Sequence, residues 1–281
     1  MQDQIRVEFQ EAVNLFTQKK FKKSFLKLIP LSNSLSKDES FLSLLSAVQQ
    51  QLQDVTARQK TLKVLCEIAN SVQNQLMYMS QLLDNNLYNT ALDVGLLLQP
   101  RIMTLEEKNQ LFGMMSKIYI HENDFEGLTE IVKLYEQENI LSEHYHYSKS
   151  LINLNLSNEM TALESLRQSV VQNQNFDQGW VALALLHDKM GDQDLSMANL
   201  EKALDVNPLN TSALKHFSKK SILNGCVDKA VEKINFYLQV HNFDQEMTAQ
   251  YADLMKLKNM NDIVQRESDK LTYYFGQQIS L

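Results

Sequence analysis

The side chains of this chain fall into rows that return every 34 residues. Ser116, Ser150, Ala184, Ser218 and Ala252 make a row of small residues, and Asn123, Ser157, Gly191, Gly225 and Asn259 a row of turn formers. An apolar row runs Val132, Leu166, Leu200, Ile234 and fails only at Ser268; a further row, Leu128, Ala162, Ser196, Ala230, Val264, loosens at both ends. Antiparallel helices approach closely only where one presents a small side chain, and the first must end on a residue tolerant of positive φ. The rows therefore predict helical hairpins in four units, 109–142, 143–176, 177–210 and 211–244, with a degenerate terminal pair at 245–275.

Upstream the phase slips. Leu87–Leu98 has the pattern of a second hairpin helix, with Tyr88 and Ala91 in register and a break at Pro100. Val7–Leu31 reads as another pair: Ala12 is its small residue, Lys19–Lys20 its turn, and Phe21, Ser24 and Leu28 line its second helix. Between them, 54–84 contains no Gly or Pro, and Leu62, Leu65, Ala69, Val72, Leu76, Met79 and Leu83 alternate steps of three and four. This heptad seam predicts one long helix, or two nearly collinear ones, shared by successive hairpins. A homodimer through the 62–83 seam is the competing reading. The expected organisation is an N-terminal degenerate segment, 1–106, and a regular array, 107–281.

Composition agrees with helices. Only 7 Gly and 3 Pro occur in 281 residues, too few for a sheet protein rich in tight turns, and 44% hydrophobic residues supply a sizeable core. The net charge of -7 argues against a general nucleic-acid binder. No apolar stretch reaches bilayer-spanning length and no secretory signal opens the chain, so the expectation is a cytoplasmic protein without membrane insertion. Cys66 and Cys226 sit in apolar patterns and read as buried small hydrophobes.

The clearest unit, Asp177–Asn210, resembles a tetratricopeptide repeat: Trp180, Leu183, Ala184, His187, Gly191, Ser196, Leu200, Ala203 and Pro208 fall at that family's large, small and turn positions. His187 replaces the usual Tyr and Ser196 the usual Ala. The resemblance implies an all-α fold, an α-solenoid of antiparallel pairs wound into a right-handed superhelix, with a concave face that binds a peptide or helix. The family's inward positions carry Gln110, Gly113, Lys117 and Ile120, then His144, Tyr147, Leu151 and Leu154. The next units give Gln178, Val181, Leu185 and Asp188, then Ser212, Lys215, Lys219 and Ile222. An apolar, partly aromatic floor with lysines at its margins suits a protein partner carrying hydrophobic and acidic residues. The carboxylate clamp of the family's chaperone-tail receptors is incomplete here. Lys215 matches its first position, but Lys219 and Gln250 stand where Asn belongs.

No catalytic set, cofactor motif or metal site emerges. His144 and His146 diverge on a helix and lack a third ligand, and Gln18–Lys23 reads as a solvated hairpin tip. There is no Gly-rich phosphate loop and no nucleophile elbow. The expected function is that of a non-enzymatic scaffold or adaptor, co-chaperone-like, that binds another protein. A regulatory module of a larger signalling protein is the alternative; an enzyme built on the repeats, with Asp188 as its sole groove acid, ranks last.

Overall fold

A computed structural model describes residues 2–241 and 244–275, and the described residues form sixteen α-helices and no strand. The chain divides into two compact units after Ile140, one hairpin downstream of the expected change at 106. The N-terminal unit holds α1 (Gln2–Thr17), α2 (Phe21–Leu28), α3 (Glu39–Gln51), α4 (Val55–Ile68), α5 (Val72–Asp84), α6 (Tyr88–Leu98), α7 (Leu105–Glu122) and α8 (Phe125–Gln137). The C-terminal unit holds α9 (Glu143–Asn155), α10 (Glu159–Gln172), α11 (Asp177–Lys189), α12 (Gln193–Val206), α13 (Thr211–Leu223), α14 (Val227–Val240), α15 (Gln245–Leu257) and α16 (Asn261–Phe275).

One turn closes every hairpin. Lys19, Gln53, Asn86, Asn123, Ser157, Gly191, Gly225 and Asn259 all have positive φ, between 56 and 85°. The next backbone N–H reaches back five residues in a Schellman bond, as in Asp54 to Gln49 (2.9 Å), Asp124 to Tyr119 (2.9 Å) and Asp192 to His187 (2.9 Å). The residue after the turn then opens the second helix. Asp54, Asp124 and Asp192 accept from the backbone N–H of Ala57, Gly127 and Leu195, filling an N-cap with the anion that the helix end attracts. The turn series shows where the upstream phase slips: Gln53 to Asn86 is one residue short of 34, and Asn86 to Asn123 three long.

The left-handed conformation strains any side chain with a Cβ except Asn. Around Gly191 and Gly225 a Cβ would meet nothing within 4 Å, so φ alone selects glycine there. Ser157 holds the same turn with φ 60°. Ser157→Gly is expected to stabilise the C-terminal unit by about 0.5–1 kcal/mol, the relieved strain less the extra chain entropy of glycine, read as a shift in urea midpoint at constant m.

The small row lies in the cores as its spacing requires. Ser116, Ser150, Ala184, Ser218 and Ala252 are between 0 and 5% exposed. Two of the three serines there satisfy their hydroxyls locally, Ser150 Oγ donating to the Tyr147 carbonyl (2.6 Å) and Ser218 Oγ to that of Lys215 (3.0 Å), whereas Ser116 Oγ is buried without a partner among the described residues. The row extends upstream as Ala12 and Ser46, then breaks at Met79, which is fully buried. Opposite Met79, where other hairpins carry Leu28, Leu62, Leu166 or Leu200, stands Gly95; a Cβ there would lie 3.0 Å from Met79 Cε and 3.2 Å from Met115 Cγ. In this hairpin the large and small partners have changed places.

The expected long helix at 54–84 is two helices. The chain breaks at Ala69–Ser71, and α4 and α5 pack against each other rather than running on. Ser71 Oγ caps α5 by accepting from Asn74 N (3.1 Å), and Asn74 Nδ2 donates to the Ala69 carbonyl (2.8 Å). Arg101 then clasps the break, donating to Asn70 Oδ1 (3.0 Å) and to its carbonyl (2.8 Å). The seam residues Leu62, Leu65, Leu76 and Met79 are fully buried in their own unit, which removes that face from any coiled-coil dimer.

Candidate functional site

In the C-terminal unit the first helices of successive hairpins, α9, α11 and α13, line an open groove of about 440 Å³. That volume lies within the range of small ligand and peptide sites. Its floor is apolar: Tyr147, Leu151 and Leu154 come from α9, and Val181, Ala182, Leu185 and Leu186 from α11. Gln178, Lys189, Asn210 and Ser212 complete the lining. The floor stands on a packed layer beneath. Tyr147 and Leu154 pack against the core of Ala162, Leu163, Leu166, Val170, Leu183 and Leu186. Tyr147 is further held edge-on by Phe176 at 5.4 Å, and burial pushes its phenol above the usual range.

Of the eleven side chains expected to bind a partner, five meet here: Tyr147, Leu151, Leu154, Val181 and Leu185. Val181 is only 7% exposed, whereas Leu185 is 38% exposed and free to be covered. His144 lies outside the lining, its ring edge-on to Phe176 at 5.1 Å. Lys117 and Ile120 belong to α7 in the N-terminal unit. Lys215 and Lys219 extend the α13 face that carries Ser212, by one and two turns, and both are exposed. Lys215 pairs with Glu246 on α15, and Lys189 with Glu159 at 2.8 Å.

Asp188 is committed elsewhere. Its Oδ1 accepts from Lys220 Nζ at 2.6 Å and from Gln193 Nε2 at 2.9 Å, and Lys220 Nζ also donates to Gln193 Oε1 at 2.7 Å. These bonds hold the Asp188 carboxyl below the usual carboxylate range. Lys220 is 6% exposed and occupies a place held by Ile118, Ile152, Leu186 and Leu254 in the neighbouring units. A lysine interrupting that apolar row was the available signal for a buried ion pair.

A second polar latch fixes where the groove ends. Asp177, the first residue of α11, accepts from Asn207 Nδ2 (2.7 Å) and Asn210 Nδ2 (2.8 Å) through Oδ2. Glu143 repeats this one hairpin earlier, accepting from Asn173 Nδ2 at 3.0 Å. Asn210 Oδ1 meanwhile caps α13, accepting from Ala213 N at 2.9 Å, so both ends of this lining amide are occupied.

One of the two cysteines departs from expectation. Cys66 is buried, and its thiol is pushed up to about 11 by burial and by Glu67. Cys226 is exposed, because it falls in the turn after Gly225, one residue before α14 begins. In the native protein an aromatic disulfide reagent is expected to titrate one fast thiol, lost in Cys226→Ser, with Cys66 reacting only on denaturation; two fast thiols would refute this burial pattern. Among the described residues, no cluster of His, Cys, Asp or Glu is placed to hold a metal, and no helix is long and apolar enough to cross a membrane.

No protein-family model and no curated protein matches the sequence. Solved structures share its fold. The APC/C hetero-tetramer Cut9-Hcn1 matches with a TM-score of 0.61 at 8% identity, over 89% of this chain and 49% of that one. The human IFIT1 dimer with PPP-AAAA matches at 0.50 and 11% identity, over 96% of this chain and 72% of that one. A monomeric IFIT1 mutant with Gppp-AAAA gives 0.51 and 10%, over 96% and 71%. Cut9 and IFIT1 are both tetratricopeptide-repeat proteins, and identities this low speak to fold alone. With the same turn closing every hairpin and small residues at each close approach, the chain has the all-α, tetratricopeptide-type α-solenoid fold.

Proposed function

We propose that this chain is a non-enzymatic binding scaffold that holds a segment of another protein in the groove of α9, α11 and α13. The observation that supports it most is the groove floor: seven apolar or aromatic side chains from two hairpins converge on an open cavity, with a single charged residue, Lys189, in the lining. Converging apolar side chains that stay open to solvent mark a surface a partner covers. Catalysis finds no support there: no acid is in the lining, and the acids beside it are engaged, Glu159 by Lys189, Asp177 by Asn207 and Asn210, and Asp188 by Lys220.

Two of the fold's neighbours carry RNA, PPP-AAAA and Gppp-AAAA, in an IFIT1 chain. The groove here offers one lysine against a 5′-phosphate, and the chain has a net charge of -7, so protein is the better-supported partner class. The test substitutes Leu151→Asp and Leu185→Asp together. Loss of partner capture in affinity purification, with helicity and melting temperature within a few degrees of the parent, is the expected result. Undiminished capture by the double variant would move the binding surface elsewhere. A triphosphorylated oligoadenylate is expected not to bind; micromolar binding abolished by Lys189→Ala would install RNA as the ligand.

A further inference from the structure

Extended peptides and helices make different demands on a groove. Each residue of an extended segment brings a backbone donor and an acceptor, which a receptor has to satisfy or leave to water. A helix satisfies these internally and asks for apolar contact only. The polar inventory of this groove therefore bears on the shape of its occupant.

That inventory is small. The lining contains two side-chain amides, Gln178 and Asn210. Asn210 is engaged at both ends, donating one N–H to Asp177 and accepting from Ala213. What remains for a ligand is the Gln178 amide, the second N–H of Asn210 and the hydroxyls of Tyr147 and Ser212, with Lys189 already engaged by Glu159. Three first helices at ordinary spacing span about 18 Å, and an extended segment of that length carries about ten backbone polar groups, roughly half of them facing the floor. The deficit falls on the apolar centre, where Leu151, Val181 and Leu185 would lie against unpaired amides.

We infer that the occupant is an amphipathic helix of about three turns, which lays an apolar stripe on the floor and directs acidic residues toward α13; this rests on the groove reading above. Charge sets the second half of the statement. On α13, Lys215 and Lys219 follow Ser212 along one face, and among the described residues Lys219 makes no ion pair. Lys215 is balanced by Glu246, and Asp188 on the neighbouring α11 is held by Lys220, so Lys219 is the cation left for a ligand. An acidic flank on the ligand supplies the missing counter-charge.

The experiment displays a random 16-residue peptide library and selects binders to the full chain, with Leu151→Asp as the counter-target. Sequences that bind the parent at least tenfold better are expected to carry apolar residues spaced i, i+3 or i+4, and i+7. They should lack proline and be enriched in Glu or Asp, and the enrichment should fade with Lys219→Ala. A proline placed at the centre of a selected peptide is expected to weaken it at least tenfold. Leu151-dependent sequences that are proline-rich or alternate with period two, or that tolerate the central proline, would overturn the helix while leaving the groove as the site. If no selected sequence depends on Leu151, the groove itself falls, and the inference with it. Circular dichroism of Leu151→Asp guards against an unfolded counter-target.

Discussion

Asp188→Ala is expected to lower the stability of the C-terminal unit by about 2 kcal/mol, and a second change, Lys220→Met, to restore most of it. The asymmetry comes from burial. The Lys220 side chain is 8% exposed and that of Asp188 41%, so removing the carboxylate strands a cation with Gln193 as its remaining partner. Removing the lysine instead leaves a carboxylate that water can reach, and Lys220→Met alone is expected within about 1 kcal/mol of the parent. Methionine also suits the apolar row of Ile118, Ile152, Leu186 and Leu254. Equal losses in the two single variants, by urea denaturation, would mean that the pair stabilises the unit in its own right. The pH dependence has a definite sign. Since the folded Asp188 carboxyl is held below its unfolded value, its contribution is present above the unfolded pKa and is lost as pH falls through the folded one. The gap between parent and Asp188→Asn therefore closes on acidification below about pH 4.

Met79 and Gly95 give the other large effect. Met79→Ala should cost about 3 kcal/mol by opening a cavity in the fully buried contact between α5 and α6. Gly95→Leu should cost at least 2 kcal/mol, because even its Cβ would press on Met79 Cε at 3.0 Å and on Met115 Cγ at 3.2 Å. Together they restore the small–large arrangement of the other hairpins, and the double variant is expected to be at least 2 kcal/mol more stable than the sum of the singles. Additive losses in chemical denaturation would show that the two positions do not exchange volume.

The features legible in the sequence are those in which one position has one physical job. A left-handed turn selects Gly or Asn, and a close approach selects Ser or Ala, so both rows could be read by spacing and both stand in the structure. Where two residues share a job, the reading failed. Met79 and Gly95 each break the pattern alone and keep it as a pair. The break at Ala69–Ser71 was hidden because the apolar spacing runs on across it, with Ser71 and Asn74 in place of Gly or Pro. Groove positions on α9 and α11 followed from register. The fate of Asp188 did not, since its partner lies 32 residues away on another hairpin.

Every helix packs on elements of its own hairpin or the next, and no long connection has to close before those contacts form. Low sequence separation between contacting residues places such chains among the fast folders, with microsecond to millisecond assembly. Within each unit, a completed hairpin offers its successor a finished surface, so order can spread through that unit from whichever hairpin forms first.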